Sequence, residues 1–394
     1  APNHGSGDVM TDSDTLRMLE DAARGFAAFD AGRVRRWRET PPGFDRDKWR
    51  EMAEQGWFGI LVGEDDGGLG LGLDAAAAVS KVLGYNAMPE PFVAAGVLVP
   101  KLLASCPASP ARDALLASVV AGEQIATLAY LDNTGELAFG ASGVRARKGS
   151  GGYTLNGEFR FVPVPDADVI LAPVVIDLAG EGEAANLCRA ELLAIDRATP
   201  GVDVEREGTA DGGASGWIRF NNAEVPADAM LASGDFWPLI EEALDHGVMV
   251  NSAELLGIMD RELELTLEYL KTRKQFGKAI GSFQVLQHRA VDLWMHQQIA
   301  EHAFSASLKV VMAPDVPAAA RQQATSSAKA RVARTALDLG NDCIQLHGAI
   351  GFTDEYDLAL YVNRSLAIAP FGGNAGEHLK RYGDLKQRNQ ELAR

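Results

Sequence analysis

The sequence predicts an α+β chain in three successive parts: a helical domain over 1–126, a β domain over 127–235 and a helical bundle over 236–394. Three observations carry that prediction. Apolar residues at helical spacing dominate both ends of the chain. Short β-branched runs broken by Gly, Asn and Asp fill the middle. No internal repeat is visible, so a solenoid or propeller does not account for the length.

In the first part, DKWREMAEQGWFGILV reads as helix and EDDGGLGLGLD (64–74) as a turn-rich link. GGLGLGL lacks the G-x-G-x-x-G spacing and the strand–loop–helix frame of a dinucleotide site, so it reads as a flexible connection. DAAAAVSKVLGY follows as an Ala-rich helix, with Asp74 placed to cap its start and Gly84 just past its end. The middle part holds GVRARKGSGGYTLNGEFRFVPV, DVILAPVVI, AELLAIDRATPGVDV and WIRFNNAEVP, with turn signals at KGSGG (148–152) and NG (156–157). Roughly six to eight strands at this spacing predict a β-sandwich or barrel. In the third part, two long helical patterns precede a break at PDVPAA (314–319), and a third follows it, which predicts an antiparallel bundle.

Composition narrows the function. The chain has 394 residues, 37 Lys and Arg against 54 Asp and Glu, and a formal charge of −17. Such an acidic chain is a poor binder of nucleic-acid phosphates. It has no apolar run of about 18 residues, so no membrane span is expected. The first residues, APNHGSGDVM, lack the apolar centre of a secretory signal. Cys106, Cys188 and Cys343 are few, scattered and odd in number, which speaks against a disulfide framework or a zinc site and for a reducing cytoplasm. His288, His296 and His302 do not share a helix face at ligand spacing, so no metal is expected.

Four segments then carry a resemblance. YLKTRKQFGKAIGSFQVLQHRAVDL (269–293), QLHGAIGFTDEYDLALYVNRSLAI (345–368), GWFGILVGEDDGGLGLG and IRFNNAEVPADAML (218–231) resemble, in order and spacing, segments of the acyl-CoA dehydrogenase family. The resemblance spans essentially the whole chain. It implies an N-terminal helical domain, a middle β-sandwich or barrel domain and a C-terminal four-helix bundle. It also implies FAD, an acyl-CoA substrate and an electron-transfer flavoprotein-like acceptor. In that chemistry a carboxylate takes the α proton and the flavin accepts the β hydride. Arg273 matches the Arg that reaches the FAD diphosphate of a partner subunit, and guanidinium suits that anion. Gln275, Phe276 and Gln284 match further flavin contacts. Gln345, Gly348 and Gly351 match a second diphosphate segment, and Asn374 matches a cofactor contact after it. His347 reads as a helix-end histidine and Arg364 as a packing or salt-bridge residue.

The departures are as informative. The family's usual catalytic Glu falls on Gly372 or Gly373 in PFGGNAGEHL (370–379). Some members carry the base on the first bundle helix, where Gly247 stands here. The carboxylates near these places are Asp245 and Glu377. Gly247 would leave room for a bulky acyl chain. In the β domain, AYLDNTGELAFG (129–140) replaces the substrate-holding stretch, and Phe161, Val162 and Pro163 replace the Trp-Ile-Thr that flanks the flavin ring. Proline removes a backbone donor there. Segments that act across an interface are kept, while those that act within one subunit are lost. This pattern is similar to small subunits of heteromeric members acting on dicarboxylyl-CoA or steroid side-chain thioesters. The expectation is a hetero-oligomer with a second dehydrogenase-like chain whose partner supplies the base. The alternatives are a homotetramer using Asp245 or Glu377, a flavin monooxygenase, and a non-catalytic subunit. Leu255, Leu256, Met259, Val285, Leu286, Leu293 and Trp294 could serve an interface or the core.

Overall fold

The computed structural model describes residues 12–131, 143–177 and 189–392. Six helices come first: α1 (Asp12–Phe26), α2 (Ala31–Arg38), α3 (Arg46–Glu54), α4 (Leu73–Tyr85), α5 (Val99–Ser105) and α6 (Pro110–Val120). A π-helical segment, Phe92–Leu98, runs directly into α5. Side-chain caps set several starts. Asp30 accepts from the Arg33 N–H, Asp45 from those of Asp47 and Lys48, and Ser109 from that of Arg112 ahead of Pro110.

Two local readings are corrected. Asp74 lies inside α4 rather than capping it, because Gly72 holds the N-cap position. Gly84 is also inside α4, and it is needed there for packing. A Cβ on Gly84 would lie 2.2 Å from the Glu254 carbonyl oxygen, and one on Gly257 would lie 1.9 Å from that of Lys81. These two glycines let α4 press against the first bundle helix at backbone contact. The turn-rich link is likewise no flexible connection. Leu69 and Leu71 donate to the carbonyls of Gly59 and Ile60, and Gly70 donates to that of Val62, which folds the loop back on the preceding turn.

Eight strands follow: β1 (Ala126–Leu128), β2 (Val144–Gly149), β3 (Gly152–Pro163), β4 (Val169–Asp177), β5 (Arg189–Asp196), β6 (Val202–Gly208), β7 (Ala214–Pro226) and β8 (Met230–Ser233). They form one mixed sheet in the order β6-β7-β3-β2-β4-β5-β8, with β1 and β2 both parallel to β4. Alternation places Leu155, Phe159, Ile170, Ile218 and Phe220 in one buried layer. The β3–β7 ladder shifts register between Phe159 and Val162, and Phe161 there has φ 53°. That bulge turns Phe161 outward, where it is 45% exposed, while Val162 stays buried.

The last part contains α7 (Trp237–Thr272), a short hairpin of β9 (Lys274–Gln275) and β10 (Lys278–Ala279), α8 (Gln284–Val311), α9 (Ala318–His347), α10 (Leu358–Ile368) and α11 (Ala375–Leu392). Helices α7, α8 and α11 pack around α9 as a four-helix bundle. Leu255, Leu256, Met259 and Leu293 are core, and Leu286 packs against that core. Val285 and Trp294 are exposed.

The bundle core holds a carboxyl group with no partner. Glu262 of α7 is fully buried, and neither of its carboxyl oxygens has a hydrogen bond among the described residues. Burial alone raises its pKa well above the ordinary range. A carboxyl raised in the folded state contributes its stability below the unfolded pKa and loses it as pH rises through the folded one. Glu262→Met is therefore expected to stabilise the chain at pH 8 by about 1–3 kcal/mol, the usual cost of an unsatisfied buried polar group. The gain should shrink as pH falls toward 5. Urea unfolding at both pH values measures it, and a gain independent of pH would contradict this account.

Candidate active site

The three parts of the chain meet around a cavity of about 460 Å³. Phe44, Pro89, Val93 and Ala94 line it from the helical part, with Val93 and Ala94 on the π-helical turn. Such turns widen a helix and often border functional sites. Tyr130, Phe161 and Pro163 line it from the sheet, and Asn251, Glu254, Arg364, Phe371 and Gly372 from the bundle. The chamber is mostly apolar with a few convergent polar groups, as ligand sites are.

One buried ion cluster ties the walls together. Arg364 of α10 donates from Nε and Nη2 to Glu254 Oε1 of α7, at 2.9 and 2.7 Å, and from Nη1 to Asp211 Oδ2 of the β6–β7 turn, at 2.7 Å. Arg364 is thus the salt-bridge residue the sequence suggested, and it joins bundle to sheet. Asp211 is held in turn by Thr209 Oγ1 and the Gly213 N–H. Burial works to raise the Asp211 carboxyl, but the Arg364 guanidinium and the Thr209 hydroxyl outweigh it and hold it below the ordinary range.

The loop where the family carries its base is closed to any side chain at one position. Gly372 has φ 67°, and a Cβ there would lie 2.4 Å from Val248 Cγ2. A non-glycine residue would meet both strain and a clash. Gly373 is also left-handed, with φ 120°. The two candidate substitutes fare differently. Asp245 is held by two arginines away from the cavity. It lies outside the cavity lining, with Oδ2 accepting from Arg321 Nε at 3.0 Å and Oδ1 from Arg381 Nη1 at 2.9 Å. Glu377 does line the cavity, but its Oε2 accepts from the Asn374 N–H at 2.6 Å while Asn374 Oδ1 accepts from the Gly376 and Glu377 N–H groups. That reciprocal pair is a capping box starting α11. Asn374, expected at the cofactor, lines the cavity through this cap.

Gly247 does not open a larger chamber. A Cβ there would lie 3.1 Å from Leu98 Cδ1 and 3.5 Å from the Phe371 ring, so those side chains already occupy the space. Of AYLDNTGELAFG, Tyr130 and Leu131 line the cavity, and 132–140 lie outside the described residues, as does Cys188. Among the described residues, no three His, Cys, Asp or Glu side chains group to hold a metal ion.

The expected FAD contacts stand elsewhere, at one end of the bundle. Arg273, Gln275, Phe276, Gln284 and Gln345 are all exposed and outside their own chain's cavity. The β9–β10 hairpin lifts Phe276 to 91% exposure with φ 52°, and Phe276 meets Phe283 edge-on at 6.2 Å. Among the described residues the Arg273 guanidinium has no ion pair. Gly348 ends α9 with φ 66° and open space beside it, whereas Gly351 is buried. His347 holds these segments together. It stacks on Tyr269 of α7 at 4.5 Å and packs on Tyr356 at 4.9 Å, with Nδ1 bonded to the Cys343 carbonyl oxygen at 2.8 Å. The histidine thus does meet a helix-end carbonyl, and the ring also braces the end of α9 against that of α7. An exposed guanidinium with exposed glutamines and an open glycine at the same end of the bundle is chemically suited to an anionic diphosphate.

Sequence reasoning missed Asn251, Glu254 and Lys329. Lys329 of α9 is 0% exposed and its Nζ donates to Asn251 Oδ1. Burial lowers its pKa to about 7, partly offset by the Glu254 carboxylate. A signal existed: Lys329 shares a helical face with Thr325, Val332 and Ala336, all buried, so a cation sits on an apolar stripe.

The comparisons agree with this architecture. The family model for the acyl-CoA dehydrogenase C-terminal domain matches residues 234–382, and that for the N-terminal domain matches 13–123. The acyl-CoA dehydrogenase IpdE2 of Mycobacterium tuberculosis is 28% identical over 383 residues, covering 94% of this chain and 97% of its own. The solved Tcur3481-Tcur3483 steroid ACAD superposes with a TM-score of 0.83 at 25% identity, covering 97% of this chain and 100% of the other. The ChsE4-ChsE5 complex from Mycobacterium tuberculosis shares the fold, with a TM-score of 0.80 at 24% identity over 98% of this chain and 99% of the other. With both domain models matched and the architecture shared end to end, the chain belongs to the acyl-CoA dehydrogenase family of FAD-dependent oxidoreductases, which act on the CH–CH bond of acyl-CoA thioesters.

Proposed function

We propose that this chain is one subunit of a heteromeric acyl-CoA dehydrogenase, contributing FAD-binding residues to a site whose base comes from a second dehydrogenase-like chain. One contrast carries the reading. The base position, Gly372 or Gly373, has no carboxyl and a left-handed backbone that favours glycine, while Arg273 and Phe276 stand exposed at the end of the bundle. Relatives whose names join two gene products, Tcur3481-Tcur3483 and ChsE4-ChsE5, support a paired assembly.

In this reading the Arg273 fork holds the diphosphate of FAD bound mainly by the partner, with Gln275, Gln284 and Gln345 as side-chain donors and Gly348 leaving backbone approach open. Phe276 would cover apolar surface of the site and exclude water from it. The chemistry supplied by FAD in this family is acceptance of a hydride from the acyl chain, and reoxidation would fall to an electron-transfer flavoprotein-like acceptor. The acyl group would be of steroid side-chain or similar type, since the Tcur3481-Tcur3483 relative is a steroid enzyme by name.

A second reading, a homomeric enzyme, is favoured by the place of Glu377 in the cavity lining. Producing the chain alone and together with a dehydrogenase-like chain encoded beside it separates the two. Alone, it should carry little flavin absorbance and oxidise acyl-CoA weakly; together, both should return. A yellow homotetramer oxidising acyl-CoA unaided would overturn the heteromer, and loss of that activity in Glu377→Gln would establish the second reading.

A further inference from the structure

We propose that Asn251, oriented by Lys329, forms a hydrogen-bond donor site in the cavity wall for a neutral oxygen, a ketone or hydroxyl, on an otherwise apolar ligand. The inference rests on the proposed function only in taking the cavity as the chamber for the acyl group.

The orientation follows from donor chemistry. Lys329 is wholly enclosed, and its Nζ reaches Asn251 across 78 residues of sequence. Below its pKa of about 7 the Lys329 amine is an ammonium, which has donors and no acceptor, so the atom it meets is the amide oxygen. With Oδ1 held by Lys329, the Asn251 NH2 group is directed away from it. Asn251 is 1% exposed and lines the cavity. Among the described residues its Nδ2 has no hydrogen-bond partner, and it is not among the atoms sealed from contact. A buried amide donor without a partner, opening on a chamber, lacks an acceptor that a ligand can bring.

The surroundings select which acceptor. Glu254 lies almost one helical turn along α7 and Asp211 lines the same wall, and their charges are matched by Arg364 and the enclosed Lys329. Those charges already offset one another, so a carboxylate on the ligand would lose its water without gaining a free cation from this set. Val93, Ala94, Ile368 and Phe371 provide apolar walls. What fits is an apolar body carrying one uncharged oxygen. The same logic accounts for Lys329. A methionine there would spare the desolvation of a buried ammonium; what the ammonium adds is the fixed direction of the amide.

Equilibrium dialysis of the full chain, quantified by gas chromatography, tests this with 2-adamantanone, adamantane and 1-adamantanecarboxylate. Asn251→Leu is expected to weaken 2-adamantanone roughly tenfold, the worth of one buried hydrogen bond, and to leave adamantane unchanged. Lys329→Met should weaken the ketone selectively too, because the amide is no longer directed. If that variant fails to fold, Asn251→Asp, which keeps a partner for Lys329 and has no N–H, should show the same selective loss. Unaltered ketone binding in Asn251→Leu, equal losses for ketone and hydrocarbon, or tightest binding of the carboxylate would each overturn the proposal. Because dialysis reads binding without turnover, flavin or partner, its failure and the failure of the heteromer reading are distinguishable.

Discussion

Replacing Arg364 with leucine is expected to destabilise the fold by about 3–5 kcal/mol, because it strands two buried carboxylates whose charge the guanidinium now compensates. Three hydrogen bonds of 2.7–2.9 Å are lost together, and both partners, Glu254 and Asp211, are largely withdrawn from water. Burial already raises the Glu254 carboxyl against the pull of Arg364. Without the arginine, both acids should take up protons at higher pH. The deficit of the variant is therefore greatest near neutral pH and smaller near pH 5, where protonation relieves it. Urea unfolding at pH 5 and pH 7.5 would measure this. Because the cluster links α7, α10 and the β6–β7 turn, sheet and bundle should also unfold less cooperatively in the variant. A loss below about 1 kcal/mol, as for an exposed ion pair, would contradict the assigned burial.

Arg273→Ala should leave the fold almost untouched and remove flavin from the assembled enzyme. The side chain is exposed and has no ion pair among the described residues, so stability should change by less than about 0.5 kcal/mol. A charge-assisted contact to a diphosphate is worth about 1.5–3 kcal/mol, so FAD affinity of the co-produced pair should fall roughly 10- to 150-fold. Arg273→Lys should recover only part of this, since an ammonium lacks the planar fork. Flavin absorbance per protein after gel filtration gives the answer. Unchanged flavin content in Arg273→Ala would remove this residue from the diphosphate site.

Much of the architecture was legible because it rests on local period. Long helical spacing marked α7, α8 and α9, and the glycines at 149–152 marked the turn between β2 and β3, whereas the Asn156-Gly157 turn signal falls inside β3, where the β3–β7 ladder shifts register. The capping box at the start of α11 was also within reach, since Asn374 precedes Glu377 by three residues. Reading Gly84 as a helix stop failed for a reason outside local sequence: it marks the contact between α4 and α7. The place of Asp245 was likewise outside local sequence. Two residues from the expected place on α7 is enough to turn a carboxylate from the cavity toward Arg321 and Arg381.

The sequence by itself determined the order of helical part, sheet and bundle, the absence of a carboxylate at 372–373, and the segments around Arg273 and Gln345 that resemble flavin contacts. These depend on residue identity and spacing along one element. Only the tertiary structure decided that a side chain at Gly372 would clash with Val248, that Arg364 clamps Glu254 and Asp211, and that Lys329 turns Asn251 toward the cavity. The partners there lie 78 to 153 residues apart. Which buried charge meets which is set by how helices and sheet pack, and no periodicity along the chain encodes that distance.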